Sequence, residues 1–346
     1  MWVAGIGWQD DHYCAVVRDD GGHPVVPLTV FAATEVGQVV ALLKSAQIRS
    51  GGRLASVIDS VSGVLERHLV EAGLAVYRAD PGLLAGRSAG SSAPAEGLAA
   101  VARAHPSALC QVTLEGGAMS GRDQEVTEVT QASANVERTL AAAGRLVLGG
   151  NTAAREIALT FDDGPSPVYT GQVLDVLGRY GAAATFFCIG LNAHAFPEMV
   201  ERIAADGHEI GNHTWSHPYL PDLSRSELNL QLDRTTEVLA GVTGRAPALF
   251  RPPYGGRSAQ VLRWLAEAGM STVLWNTETS DWARPGQDVI EGEVAGQAGP
   301  GSIVLFHDGG GDRSQTVAAL PGIMDHLCEQ GYRFVPVSRF LTAKGP

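Results

Sequence analysis

From residue 157 onward, short apolar runs alternate with helical patterns, and few folds accept that alternation. Runs near Ile157–Phe161, Ala183–Cys188, His208–Asn212, Ala248–Phe250, Ser271–Trp275, Ser302–Phe306 and Arg333–Val337 are read as strands. Helical patterns fall between them, at Val168–Tyr180, Glu198–Asp206, Arg225–Gly241, Ala259–Ala268 and Gln315–Gln330. Seven strands interleaved with helices predict an α/β fold, either a (β/α) barrel or a wound parallel sheet. In both, the C-terminal strand ends carry chemistry. Five of these strands run into polar clusters: Asp-Asp-Gly-Pro, His-Thr-Trp-Ser-His, Arg-Pro-Pro-Tyr-Gly, Asp-Trp and His-Asp-Gly.

The first cluster is the most demanding. Asp162 and Asp163 end the run Ile157-Ala158-Leu159-Thr160-Phe161, and Gly164-Pro165 breaks it. Two carboxylates at a strand tip repel and cost desolvation. A bound cation compensates, leaving one as ligand and the other as base. An Asx-turn with a solvated second acid is the plainer alternative. His213 and His217 are spaced by four, so a helical turn would put both on one side, although paired surface histidines show the same spacing. With Asp163 they make a two-His, one-carboxylate set that leaves a divalent cation an open position for water. His307 ends the sixth strand, where a lone histidine is more often structural; in a parallel sheet it lies at the same end as the metal set, which favours a general acid. Arg251 opens Arg251-Pro252-Pro253-Tyr254-Gly255, where the prolines stiffen the loop and the guanidinium can orient a carboxylate. Asp281-Trp282 sets an acid beside a large apolar face; an ordinary surface ion pair is the plain alternative for Arg251 and Asp281.

These motifs carry a resemblance. Residues from about 155 to 342 are similar to NodB-type polysaccharide deacetylases, carbohydrate esterase family four, whose five motif regions appear in order: Thr160 to Pro165, His213 to His217, Arg251 to Gly255, Asp281-Trp282, and Leu305 to Asp308. The resemblance implies a distorted (β/α) barrel and the hydrolysis of an N-acetyl group on an amino sugar, oligo- or polysaccharide. It implies one divalent metal on Asp163, His213 and His217, zinc by preference, with cobalt, nickel or manganese as alternatives. Asp162 is then the general base, His307 the acid that protonates the leaving amine, and Arg251 the partner of Asp162. Asp281 supports Arg251 or tunes the site. The Tyr254 backbone N–H in the Pro253-Tyr254 turn faces the oxyanion, and Trp282 and Leu305 line the acetyl pocket. One departure is visible: where the family often has an Asp before the Asp-Trp pair, Trp275-Asn276-Thr277-Glu278 offers Glu278 or Thr277. A cytoplasmic deacylase of a small N-acyl metabolite and a non-catalytic binding protein are the competing functions.

The domain reading has three parts: 1–115, a linker region at 116–153, and the deacetylase domain at 154–346. The first section reads as strands near Trp2–Gly7, Tyr13–Arg18, His23–Phe31, Leu54–Asp59 and Leu74–Ala79, with helices near Thr34–Ala46 and Gly63–Ala72. Residues 85–100 read as a loop, and a helix is expected around Glu125–Ala143. Through Val3-Ala4-Gly5-Ile6-Gly7-Trp8, Val57-Ile58-Asp59-Ser60 and Leu69 to Pro81, residues 1–82 resemble the ribonuclease H-like N-terminal domain of DEDD-type transposases. Gly7 stands where that family has its first acid, with Asp10 or Asp11 as the nearest substitutes, so the resemblance implies a non-nuclease domain for packing, homo-oligomer formation or substrate access.

Charge narrows the partners. Residues 1–150 hold 11 basic against 15 acidic side chains and residues 151–346 hold 14 against 22, so neither half predicts a grip on nucleic acid. Cys14, Cys110, Cys188 and Cys328 form no C-x-x-C pair, and Cys188 lies in an apolar run, so neither disulfides nor thiolate metal sites are expected. The opening Met1-Trp2-Val3-Ala4-Gly5-Ile6 lacks a basic region, and no stretch is long enough to span a bilayer, so a cytoplasmic location away from membranes is expected.

Overall fold

The structure is a computed structural model describing residues 1–9, 12–32, 35–59, 63–79, 83–84, 92–112, 114–115, 118–119, 134–150 and 153–341. Asp10 and Asp11, and the loop reading at 85–91, lie outside the described residues. The chain divides into two compact units, Met1–Glu125 with Ser216–Leu230, and Val126–Trp215 with Gln231–Pro346.

The first unit holds a six-stranded sheet in the order β3-β2-β1-β4-β5-β6. Its strands are β1 (Trp2–Gln9), β2 (His12–Arg18), β3 (Pro24–Ala32), β4 (Leu54–Ile58), β5 (Val76–Ala79) and β6 (Leu109–Val112). β1, β4 and β5 run parallel, while β2 pairs antiparallel with both β1 and β3, and β6 antiparallel with β5. A small hairpin follows, β7 (Leu114–Glu115) with β8 (Ala118–Met119). Part of the expected loop is helical: Ala95–Ala104 buries Ala95, Leu98, Ala99 and Ala102. The i, i+3, i+4, i+7 stripe is there, but mostly in alanine, and so it is quiet in the sequence.

The second unit is built on a parallel sheet in the order β15-β16-β10-β11-β12-β13-β14-β9, with β17 also paired to β10. These are β9 (Leu146–Val147), β10 (Glu156–Asp162), β11 (Thr185–Cys188), β12 (Glu209–Asn212), β13 (Leu249–Phe250), β14 (Ser271–Val273), β15 (Thr277–Glu278), β16 (Ile303–His307) and β17 (Arg333–Phe334). All seven expected strands are present. Two more, β9 and β15, and the helix Gln287–Gln297 were not anticipated. β9 lies within the stretch read as linker, yet pairs with β14 through Thr272↔Leu146 and Val273↔Val147. The helix expected around 125–143 lies partly outside the described residues; 134–142 are helical.

The sheet is a curled, parallel half-barrel, which is the form that the expected distorted (β/α) barrel takes here. Among the described residues no pairing joins β15 to β9, the two ends of the sheet order.

Strand alternation sorts the core into two layers. Ile157, Leu159, Phe161, Phe186, Val304 and Phe306 share one cluster with helix residues such as Leu174 and Leu320. Phe161 stacks on Phe186 and Phe306 at centroid distances of 5.0 and 5.5 Å. Ala158, Phe187, Leu249, Val273 and Ile303 form the other layer. Apolar residues on both faces explain why these strands read as continuous hydrophobic runs. No helix among the described residues is long and apolar enough to cross a membrane.

Candidate active site and metal centre

The polar clusters leave the C-terminal ends of β10, β12, β13 and β16 and the turn after β15. Asp162 closes β10, Asp163 follows at φ 70°, and both are buried. His213 follows β12, and His217 ends the loop at φ 58°. One ligand atom each from Asp163, His213 and His217 lies within 4.8 Å of the others, and all three residues are buried. The pair is therefore neither a solvated Asx-turn nor, in the histidines, a surface pair.

The His213 ring is fixed by its other nitrogen. Nδ1 lies 2.6 Å from the Arg251 carbonyl oxygen, which can only accept, so Nδ1 carries the proton. That leaves the Nε2 lone pair, 3.5 Å from Asp163 Oδ1 and 3.7 Å from Asp162 Oδ2. Two donors on one tetrahedral zinc lie roughly 3.3 Å apart, so Asp163 and His213 fit a shared cation with little movement. The carbonyl bond to Nδ1 is the kind of support that orients a histidine ligand.

Arg251 is fully buried. Its Nη1 donates to Asp162 Oδ1 at 2.8 Å and to Thr160 Oγ1 at 2.7 Å, and Nε donates to the Val273 carbonyl at 3.3 Å. The guanidinium lies 4.3 Å from the Phe187 ring centroid and 5.6 Å from that of Trp275. Burial lowers its pKa, and the Asp162 charge acts in the opposite direction. A guanidinium stays protonated in proteins, so Asp162 has a permanent cation at its side. Glu278, at the departure from the family pattern, accepts from the Trp275 indole at 2.6 Å and so braces one of these rings.

Asp281 corrects one expectation. It does not support Arg251, and it is no surface residue: it is buried and committed to His307. Its Oδ1 accepts from His307 Nδ1 at 2.7 Å, and Oδ2 from the His307 backbone N–H and the Thr316 hydroxyl, both at 2.8 Å. Burial alone would raise the Asp281 carboxyl, but the His307 charge and hydrogen bond, with Arg313 and Thr316, hold it below its ordinary value. With Nδ1 so engaged, His307 presents Nε2. Leu305 precedes it by two on β16 and shares its face.

Pro253-Tyr254-Gly255 forms a tight turn with Tyr254 at φ 59°, ψ 10°. Trp282 lies half-buried in the turn Asp281–Ala283, which follows Ser280 at φ 51°. The sequence reading missed Thr160, Thr316, Arg313, Asn192, Asn212 and Gln231. Asn192 donates to the Asp163 carbonyl at 2.8 Å. Asn212 Oδ1 accepts from Thr214 N–H and Gln231 Oε1 from Trp215 N–H, both at 2.8 Å, which shapes the histidine loop. Thr160 could have been found, since period two puts it on the face of Asp162.

Comparison with known proteins adds to this geometry. Residues 149–273 match the family model described as polysaccharide deacetylase. A peptidoglycan-N-acetylglucosamine deacetylase of Bacillus cereus is 49% identical over 191 residues, covering 54% of this chain and 89% of that protein. A chitooligosaccharide deacetylase of Sinorhizobium fredii is 39% identical over 199 residues, covering 54% of this chain and 93% of that one. The crystal structure of the Bc1960 peptidoglycan N-acetylglucosamine deacetylase bound to an N-oxidanyl-benzamide superposes with a TM-score of 0.57 at 39% identity, covering 60% of this chain and 98% of that one. The domain is that of the deacetylases, hydrolases acting on amide bonds. The chain belongs to the polysaccharide deacetylase family.

Proposed function

We propose that this chain removes the acetyl group from an N-acetylated amino sugar within an oligo- or polysaccharide, with a divalent cation held by Asp163, His213 and His217. The observation that carries the mechanism is a two-sided arrangement at adjacent strand ends: Asp162 closing β10, paired with the cation Arg251, and His307 closing β16, paired with the carboxylate Asp281. The relatives' names, peptidoglycan N-acetylglucosamine and chitooligosaccharide deacetylases, supply the substrate class.

When bound, the cation supplies a Lewis acid for the carbonyl oxygen and makes water more acidic. Asp162, oriented by the Arg251 guanidinium, accepts a proton from the attacking water. The Tyr254 N–H, fixed by the turn Pro253–Gly255, donates to the oxygen that gains charge. His307, its Nδ1 held on Asp281, gives an Nε2 proton to the departing amine as the C–N bond breaks. Acetate and the free amine result. Leu305, Trp282 and Pro253 are assigned to the wall around the acetyl methyl.

The test is acetate release from N-acetylglucosamine oligomers, peptidoglycan and small acetamides, before and after chelation, with zinc, cobalt, nickel or manganese restored in turn. No cation-dependent release from any acetamide would overturn the reading. Release from small amides alone would move it to a metabolite deacylase.

For the first unit we propose a non-nuclease role. Asp59 is buried and accepts from Ser92 Oγ at 2.8 Å and Ala93 N–H at 2.7 Å, so its carboxylate serves the fold. A Cβ at Gly7 would lie 2.7 Å from the Ala93 carbonyl oxygen, so an acid does not fit there without movement. Magnesium- or manganese-dependent cleavage of any nucleic acid by the purified chain would overturn this.

A further inference from the structure

Arg313 is fully buried, and the sequence motifs gave it no part. It sits between the two segments that carry the proton-donating half of the site. Nε donates to the Gly309 carbonyl at 2.8 Å and Nη2 to the Gly310 carbonyl at 2.7 Å, both in the loop that follows His307. Nη1 reaches the Trp282 carbonyl at 3.4 Å, in the turn that begins at Asp281. A second tie lies alongside: Asp312 accepts from the Tyr169 hydroxyl at 2.9 Å and pairs with Arg284 at 3.1 Å. Asp312 thus ties the segment to Tyr169 and Arg284, while Arg313 holds the carbonyls of Gly309 and Gly310.

A buried guanidinium costs several kcal/mol of lost hydration, which a hydrophobic side chain of similar size would avoid. Here the charge is spent on backbone carbonyls of loops that bracket His307 and Asp281. Its field also reaches Asp281, whose carboxyl it helps to hold low. The loop it fixes is close-packed: a Cβ at Gly309 would fall 2.1 Å from the Asp163 carbonyl oxygen.

We propose that Arg313 is a positioning residue for the deacetylation step, holding the His307 loop and the Asp281–Trp282 turn in the one arrangement in which Asp281 meets His307 Nδ1. It rests on the reading of His307 as proton donor. A lysine keeps the charge but lacks the planar fork that spans both segments.

The test uses the full chain, loaded with zinc, as Arg313→Lys and Arg313→Gln. Two readouts are taken: kcat and KM for acetate release from N-acetylglucosamine oligomers, and the downfield proton resonance of the Asp281–His307 hydrogen bond, assigned by its loss in Asp281→Asn. Misplacement of a catalytic group lowers kcat by about 10- to 100-fold with KM within about twofold. The resonance should shift or vanish in both variants. A folded Arg313→Lys with wild-type kcat and an unmoved resonance overturns the proposal. If the wild type releases no acetate, the functional reading falls, while the resonance still decides whether Arg313 sets the Asp281–His307 bond. If Arg313→Gln does not fold, Arg313→Lys decides alone.

Discussion

Asp162 and His307 face each other in register, as Cα partners on the adjacent parallel strands β10 and β16. Neighbouring strands lie about 4.8 Å apart, so the proposed proton acceptor and donor are spaced by the sheet itself. Thr160 and Leu305 are partners one pleat earlier, in the same register. A slip of one residue would send Asp162 and its whole row to the opposite face, into the phenylalanine layer.

Replacing Asp162 with Asn should separate catalysis from cation binding. Turnover is expected to fall by about 10²- to 10⁴-fold, the usual worth of a positioned base. Zinc affinity, read by calorimetric titration, should remain, because the ligand set is Asp163, His213 and His217. Loss of both together would place Asp162 among the ligands.

Asp281→Asn tests the other side. The amide can donate where His307 Nδ1–H needs an acceptor, so the ring loses its fixed orientation. We expect kcat for acetate release to fall by about 10²- to 10⁴-fold, with KM changed far less. Because Asp281 is held below its ordinary pKa, its pairing in the wild type contributes stability above the unfolded value of 3.8. That contribution is lost only as pH falls through the lowered value.

Gly309→Ala should be costly in a way no surface substitution is. The added Cβ meets the Asp163 carbonyl oxygen at 2.1 Å, and both partners are backbone. A loss of about 1–3 kcal/mol in denaturant unfolding is expected, along with weaker zinc binding as Asp163 is displaced. Gly178→Ala is the control: its Cβ would meet nothing within 4 Å, in the helix Tyr169–Arg179. It should be neutral or stabilising by up to about 1 kcal/mol.

His208 gives a pH signature away from the metal centre. Burial lowers its pKa from 6.5, and Nδ1 accepts from the Ala184 N–H at 3.2 Å, a bond that protonation would break. The unfolded chain therefore takes up a proton before the folded one does. This contribution to stability is full above about pH 6.5 and is lost as pH falls toward the lowered folded value. Thermal unfolding of chelated protein between pH 5 and 8 should show the decline, and His208→Asn, which keeps an acceptor, should flatten it.

The strand ends of the second unit were legible because chemistry and punctuation coincide there: an apolar run, then Asp-Asp or His, then Gly or Pro. The seven main strands and the residues of the Asp-His-His cluster could be read in this way. β9 and β15 could not, since two residues carry no periodicity. The partner of Asp281 was also hidden: the sequence pointed to Arg251 or to a general tuning role, and only the fold brings the turn Asp281–Ala283 beside His307. Arg313 and Thr316 follow three glycines and meet their partners only through the folded loop. The helix Ala95–Ala104 was missed because alanine is nearly silent as a core residue.

Arg251 is as buried as any phenylalanine around it, yet it bonds to the proposed base. In a mutational scan scored by cellular abundance, its substitutions would be classed with those of Phe187 and Val273 as losses of folding. Scored by turnover, the same substitutions would be classed with Asp162. The two maps should overlap most at this position, so a screen for stabilised variants will meet a functional constraint inside what looks like inert interior.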